Sequence, residues 1–229
     1  METVTAWLQC SSPMRMLRFL GEKASDRKKN LFAAACFRRI WQLLPDQPSR
    51  EAVGVLEHYA DGQTTADALA AARVRAWASA MAVPSPTGNR TPASLAAVAV
   101  SRDNLRDMVM DAAEATAWVK VGTPEATSAP EEKAQCDLIR DIFGNAFGEP
   151  PLVAPSLLKN NHSIILKLAQ AAYEERSLPD GRLDKERLAV LADALEAAGA
   201  DAALVSHLRE SGGVHVRGCY LVDCLLGKS

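Results

Sequence analysis

The chain has no long apolar run, few cysteines and little excess of either charge, and each shortage closes off a class of protein. No strictly apolar stretch, Ala96 to Val100 among them, approaches the roughly 20 residues that a spanning helix needs. Its five cysteines, an odd number without framework spacing, fit reduced thiols better than a set of bridges. The opening residues METVTAWLQC carry neither a basic start nor the apolar stretch of a secretory signal, so a soluble, cytoplasmic chain is expected. A formal charge of -2 and a pI near 6.1 give no overall attraction to nucleic acid or to an anionic membrane. Catalytic signatures are missing as well: there is no C-x-x-C, H-E-x-x-H, P-loop, G-x-G-x-x-G or G-x-S-x-G. What is present, 48% hydrophobic and 24% charged residues over 229 positions, excludes disorder and fits one globular domain or two small ones.

The punctuation of the chain is helical throughout. Ser12 and Pro13 open MRMLRFL, which Gly21 closes, and Ser25 opens a segment that runs to Pro45. Within it Phe32, Ala35, Cys36, Ile40, Leu43 and Leu44 recur at three- and four-residue spacing and make one apolar face. Ser49 is read as the cap of REAVGVLEHYAD, with Val53, Leu56, Tyr59 and Ala60 as its stripe. From Thr64 to Ala129 the character changes: 19 of 66 residues are alanine, which favours helix but contributes little apolar area to a core. Helices are expected over 66–83 and 92–121, with an exposed loop at Pro84 to Pro92 between them.

Apolar density rises again from Pro130. EEKAQCDLIRDIF reads as a helix ending at Gly144, after which Phe143 and Phe147 are expected to anchor a turn-rich connection. HSIILKLAQAAYEER follows, capped by Asn161, then LDKERLAVLADALEAAG and a short helix capped by Asp201. Residues 216–226 are apolar enough for a buried last helix, although Tyr220 and Val222 also suit a strand. No turn dipeptide is flanked by alternating strand-like runs, Asp180-Gly181 included. The fold class is therefore all-α, a single domain of about ten helices over 1–229. The segment 64–129 is an alanine-rich excursion, and a short β or irregular segment can lie near the C-terminus.

One cluster could carry chemistry. His207, His215, Arg217, Cys219 and Asp223 lie close together in sequence, and in a helix His215 and Cys219 would share a face as two borderline-to-soft metal ligands. A thiolate at Cys219 beside an imidazolium and Arg217 is the enzymatic version of the same cluster. In the plainer reading His215 bonds nearby backbone and the cysteines are small core residues. Paired carboxylates such as Asp137 with Asp141 carry no mark of acid–base work. A second candidate is electrostatic, since residues 1–45 hold a net charge of +5. Lys28, Lys29, Arg38 and Arg39, with Phe32, Phe37 and Trp41 on the same helix, could bind nucleic acid if they formed one exposed patch. Pairing with the acidic remainder of the chain is the simpler outcome and is the one expected. Trp7, Trp41, Trp77 and Trp118, one to a segment, suit core anchors or a protein–protein surface better than a stacking platform.

Several segments carry a resemblance: Trp7-Leu8, KASDRKKNLFAAACFRRIWQLL, HYADGQTT, LIRDIFGNAF, RLAVLADALEAAGA and HVRGCYLVDCLLGK. Together they resemble a heavily duplicated family of planctomycete proteins with no assigned activity, over both ends of the chain but not its alanine-rich middle. The resemblance implies a variable middle and two better-defined ends that share a core. Where that family has cysteines flanking Cys36 this chain has Ala34 and Phe37, and where it has Cys-Trp this chain has Cys219-Tyr220; the departures speak against a metal site at Cys36. The sequence thus reads first as a non-catalytic helical interaction or regulatory module without a cofactor, its partner a protein or a second copy. The alternatives are an enzyme or metal-binding protein using the C-terminal cluster, and a nucleic-acid binder using the basic helix.

Overall fold

The computed structural model describes residues 3–44, 46–82, 104–119, 128–147, 155–209 and 213–228, with side chains of the fifth segment described from residue 164 onward. The expected loop at 84–92 and the start of the helix expected at Pro92 lie outside these residues. Among the described residues there are eleven α-helices and one two-stranded hairpin. The fold is all-α, as the periodicity requires. None of the described helices is long and apolar enough to cross a membrane. The chain divides into two compact units, Gln9–Cys136 and Glu2–Leu8 with Asp137–Ser229.

The first unit is built around α3 (Asp26–Arg39), with α2 (Pro13–Leu20), α4 (Gln47–Ala60), α5 (Ala66–Ala82) and α6 (Leu105–Val119). The first half of α7 (Ala129–Phe143) belongs to it as well. Ser25 starts α3 as expected, its hydroxyl accepting the Lys28 N–H. Helices α4 and α6 both pack on α3, and α5 packs on α4. Consequently α3 is enclosed on nearly every side, and each of its buried phenylalanines, Phe32 and Phe37, contributes about 2 to 3 kcal/mol. The small residues Ala33, Ala34 and Cys36 let the neighbouring helices approach.

Two expectations are corrected in this unit. The α-helix stops at Arg39 and a 3-10 turn, Trp41–Leu43, follows; the changed pitch turns Leu43 out to solvent while Ile40 and Leu44 stay buried. The cap of α4 is Asp46 rather than Ser49, because the Asp46 carboxylate accepts both the N–H and the hydroxyl of Ser49. Pro48 is tolerated in that first turn, where its missing N–H has no helical partner to lose.

Enclosure of α3 decides the fate of the basic residues. Arg38 is buried and forms a two-pronged ion pair with Glu57 of α4, both contacts 2.6 Å. Arg39 makes a similar pair with Glu131 of α7, at 2.6 and 2.8 Å. Lys29 contacts Asp26 one turn away at 3.3 Å. Lys28, Lys29, Arg38 and Arg39 therefore do not form one exposed patch, since the two arginines are turned inward to carboxylates of their own unit.

In the second unit the described helices are α1 (Val4–Leu8), the second half of α7, α8 (Pro155–Glu174), α9 (Lys185–Ala197), α10 (Ala202–Arg209) and α11 (Tyr220–Leu226). Helix α9 packs on α8 and α10, and α11 packs on α8. Their shared core includes Ile165, Tyr173, Leu191, Leu195, Leu208 and Val222. The Trp7 indole of α1 is fully buried and donates to the Gly144 carbonyl at 3.1 Å, while Arg140 donates to the Trp7 carbonyl.

Four readings change in this unit. Helix α8 begins at Pro155, so Asn161 lies inside it and is not its cap. Phe147 is exposed rather than an anchor. Asp180-Gly181 does make a hairpin, pairing Arg176 with Leu183 and Ser177 with Arg182; with two residues per strand it is too short for alternation to register. The last helix spans Tyr220–Leu226 only, because the preceding residues join the hairpin instead. Leu183 N–H donates to the His215 carbonyl at 2.9 Å, and Val216 bridges Arg182.

Candidate metal centre

That edge pairing of residues 215 and 216 is what builds the site. After it the chain turns sharply: Cys219 N–H donates to the Val216 carbonyl at 2.9 Å, and Gly218 takes φ +95, a conformation that glycine adopts without side-chain strain. The turn folds His215 back over Cys219, leaving Nδ1 and Sγ 3.9 Å apart. Cys219 then caps α11, its carbonyl accepting the Asp223 N–H.

Two other elements complete the group. Asp141, on the last turn of α7, places Oδ1 2.7 Å from His215 Nδ1 and 3.5 Å from His207 Nε2. His207, near the end of α10, brings the same Nε2 within 3.4 Å of Cys219 Sγ. One ligand atom from each of Asp141, His207, His215 and Cys219 lies within 4.8 Å of the other three. The side chains of Asp141 and His215 are each 5% exposed, Cys219 is fully buried, and His207 is 17% exposed. The His207 ring sits edge-on to His215 with centroids 4.7 Å apart, and Tyr220 lies against it at 4.6 Å.

The electrostatics follow from this geometry. Burial alone would raise the Asp141 pKa, but hydrogen bonds from both imidazoles outweigh it and hold the carboxyl below its ordinary value. Burial pushes the Cys219 thiol well above its ordinary value, and the neighbouring Asp141 charge pushes it further. Such a thiol is a poor free nucleophile. A divalent cation among the four donors would supply the positive charge that lets the thiolate form.

The directions of the imidazole nitrogens separate the two chemistries open to these residues. In a nucleophile–base–acid relay the imidazole uses one nitrogen for the nucleophile and the other for the orienting carboxylate. Here each ring turns a single nitrogen toward both partners: Nε2 of His207 and Nδ1 of His215 each face Cys219 and Asp141. Donor atoms that converge on one another in this way surround a point, as ligands surround an ion.

The structure thus brings together three of the five sequence candidates, His207, His215 and Cys219, and adds Asp141. Arg217 stacks over Tyr173 at 5.0 Å, and Asp223 is buried in α11; neither supplies an atom to the group of four. Cys36 is buried in the other unit, where burial and then the Glu131 charge push its thiol far up. Asp141 carried one signal in the sequence, its place three residues after Leu138 and one before Ile142, beside the buried stripe of α7. Periodicity puts a carboxylate there but does not name its partners.

Gly144 closes α7 just beyond Asp141 with φ +64, and a methyl group at its Cα would stand 2.9 Å from the Tyr220 ring. Gly144→Ala is therefore expected to cost about 1 to 3 kcal/mol, measured as a shift in the denaturant midpoint. In a Tyr220→Ala background, which lacks the ring atoms that the methyl group would meet, Gly144→Ala should lose the part of its cost due to the clash but keep the part due to backbone strain.

Comparison of the chain with protein-family models, with curated proteins and with solved structures gives no match.

Proposed function

We propose that this chain is a non-catalytic helical module whose second unit is organised around one divalent transition-metal ion held by Asp141, His207, His215 and Cys219. The observation that carries the reading is the convergence of one donor atom from each residue, with each imidazole presenting a single nitrogen to both the thiol and the carboxylate. Mixed nitrogen, sulfur and oxygen donors suit borderline metals; magnesium and calcium take oxygen alone. The segments that meet are far apart in the chain, with Asp141 and His215 separated by 74 positions. An ion there would cross-link α7, α10 and the turn before α11.

The interaction half of the proposal concerns the first unit. Val74, Trp77 and Trp118 are each more than half exposed on alanine-rich helices, and aromatic side chains are enriched where protein partners meet. Titration calorimetry of the metal-free full chain with zinc chloride tests the metal-binding half. Saturation at one equivalent is expected, with at least a tenfold weaker fit for His215→Ala. Absence of binding, or binding that His215→Ala and Cys219→Ala both leave unchanged, would reject the site.

A further inference from the structure

Mixed nitrogen, sulfur and oxygen donors can hold several ions, either in a closed site or with a position kept for water. Resting on that reading, we infer that the ion is zinc in a closed four-coordinate site, with Asp141 bound through Oδ1 alone, so that it staples the fold and carries out no hydrolysis.

The carboxylate decides the coordination number. Asp141 Oδ2 accepts the Val216 backbone N–H at 2.9 Å, while Oδ1 faces the two imidazoles at 2.7 and 3.5 Å. An oxygen engaged by a backbone donor is held away from the ion, and the carboxylate is oriented as second partners orient metal ligands generally. Asp141 thus contributes one donor atom, and the group contributes four.

The spacing of those atoms fits a tetrahedron. Zinc bonds of about 2.0 to 2.3 Å place neighbouring ligand atoms roughly 3.3 to 3.7 Å apart. Six separations join the four atoms; none exceeds 4.8 Å, and three, at 3.4, 3.5 and 3.9 Å, lie at or near that range. Another, 2.7 Å between His215 Nδ1 and Asp141 Oδ1, is a hydrogen bond, and an ion that displaces its proton would widen it by somewhat less than 1 Å.

Burial argues against a fifth partner. Asp141, His215 and Cys219 have almost no exposed surface, and the exposed edge of the group belongs to His207, whose ring is flanked by Tyr220. Catalytic zinc sites use three protein ligands and leave the fourth position to water; structural sites use four. Here four protein donors are already in reach of one point.

Cobalt(II) replaces zinc and reports its geometry, so the full chain loaded with cobalt(II) chloride is the test. Intense visible ligand-field bands and a near-ultraviolet thiolate-to-cobalt band are expected, both removed by one equivalent of zinc chloride. Cys219→Ser should abolish the near-ultraviolet band while cobalt still binds. Weak bands of five- or six-coordinate cobalt would overturn the closed site yet leave metal binding in place. So would a near-ultraviolet band that survives Cys219→Ser. If neither cobalt nor zinc binds at all, the underlying metal-binding reading fails instead.

Discussion

Stripping zinc from the loaded protein with a strong chelator is expected to lower the unfolding midpoint of the second unit by on the order of 15 to 30 °C. An ion present at a thousandfold excess over its dissociation constant stabilises the folded state by about 4 kcal/mol. In a unit of roughly a hundred residues each kcal/mol corresponds to about 4 to 8 °C. The reason for so large a dependence lies in what the four residues join. His215 and Cys219 hold the turn that leads into α11, Asp141 ends α7, and His207 ends α10. Without the ion, Cys219 returns to a buried thiol beside a carboxylate that two imidazoles alone offset. Hydrogen exchange gives the local readout: the amides of Leu183, Val216 and Cys219, which bond the His215 carbonyl, the Asp141 carboxylate and the Val216 carbonyl, should lose protection on chelation. A midpoint that moves by less than about 3 °C, with those amides unchanged, would mean that the ion contributes no structure.

The second large effect belongs to the first unit. Glu57→Leu should destabilise the chain by about 3 to 5 kcal/mol, because it leaves the Arg38 guanidinium buried without its carboxylate. The two side chains are 7% and 4% exposed, so solvent cannot take the place of the missing partner. Arg38→Met alone should cost a comparable amount by stranding Glu57. The double variant Arg38→Met with Glu57→Leu should recover most of the loss, since apolar residues of similar volume replace a buried pair at little net cost. Denaturant midpoints of the four proteins form a double-mutant cycle. If the single and double losses simply add, the pair is not coupled and the buried ion pair has no role of its own.

The sequence carried the helical fold well and the site only in part, for a physical reason visible in single residues. Helix periodicity is local: the caps of α3 and α10 and the buried stripes of α4 and α9 are set by residues within a few positions of one another. The edge of a helix is decided by competition, which is why Asp46 displaced Ser49 as the α4 cap and why residues 215 and 216 joined the hairpin rather than α11. His215 and Cys219 were expected to meet on one helix face. They do meet, but through the turn at Gly218, which leaves His215 Nδ1 3.9 Å from the thiol sulfur. Spacing sets Asp141 beside the buried stripe of α7 but cannot name its partners, which lie on α10 and beyond it in the chain. Charge told a similar story in α3. The excess of lysine and arginine at the N-terminal end was plain, but whether Arg38 faced solvent or Glu57 depended on α4 packing against it.

The most direct check on the metal centre is the zinc-to-protein ratio of the full chain by native mass spectrometry, after exposure to zinc chloride and removal of free ion. One zinc per chain is expected for the unaltered protein and none for a variant carrying both His207→Ala and His215→Ala. A mass without zinc in the unaltered protein, or a single zinc that persists in the double variant, would contradict the account.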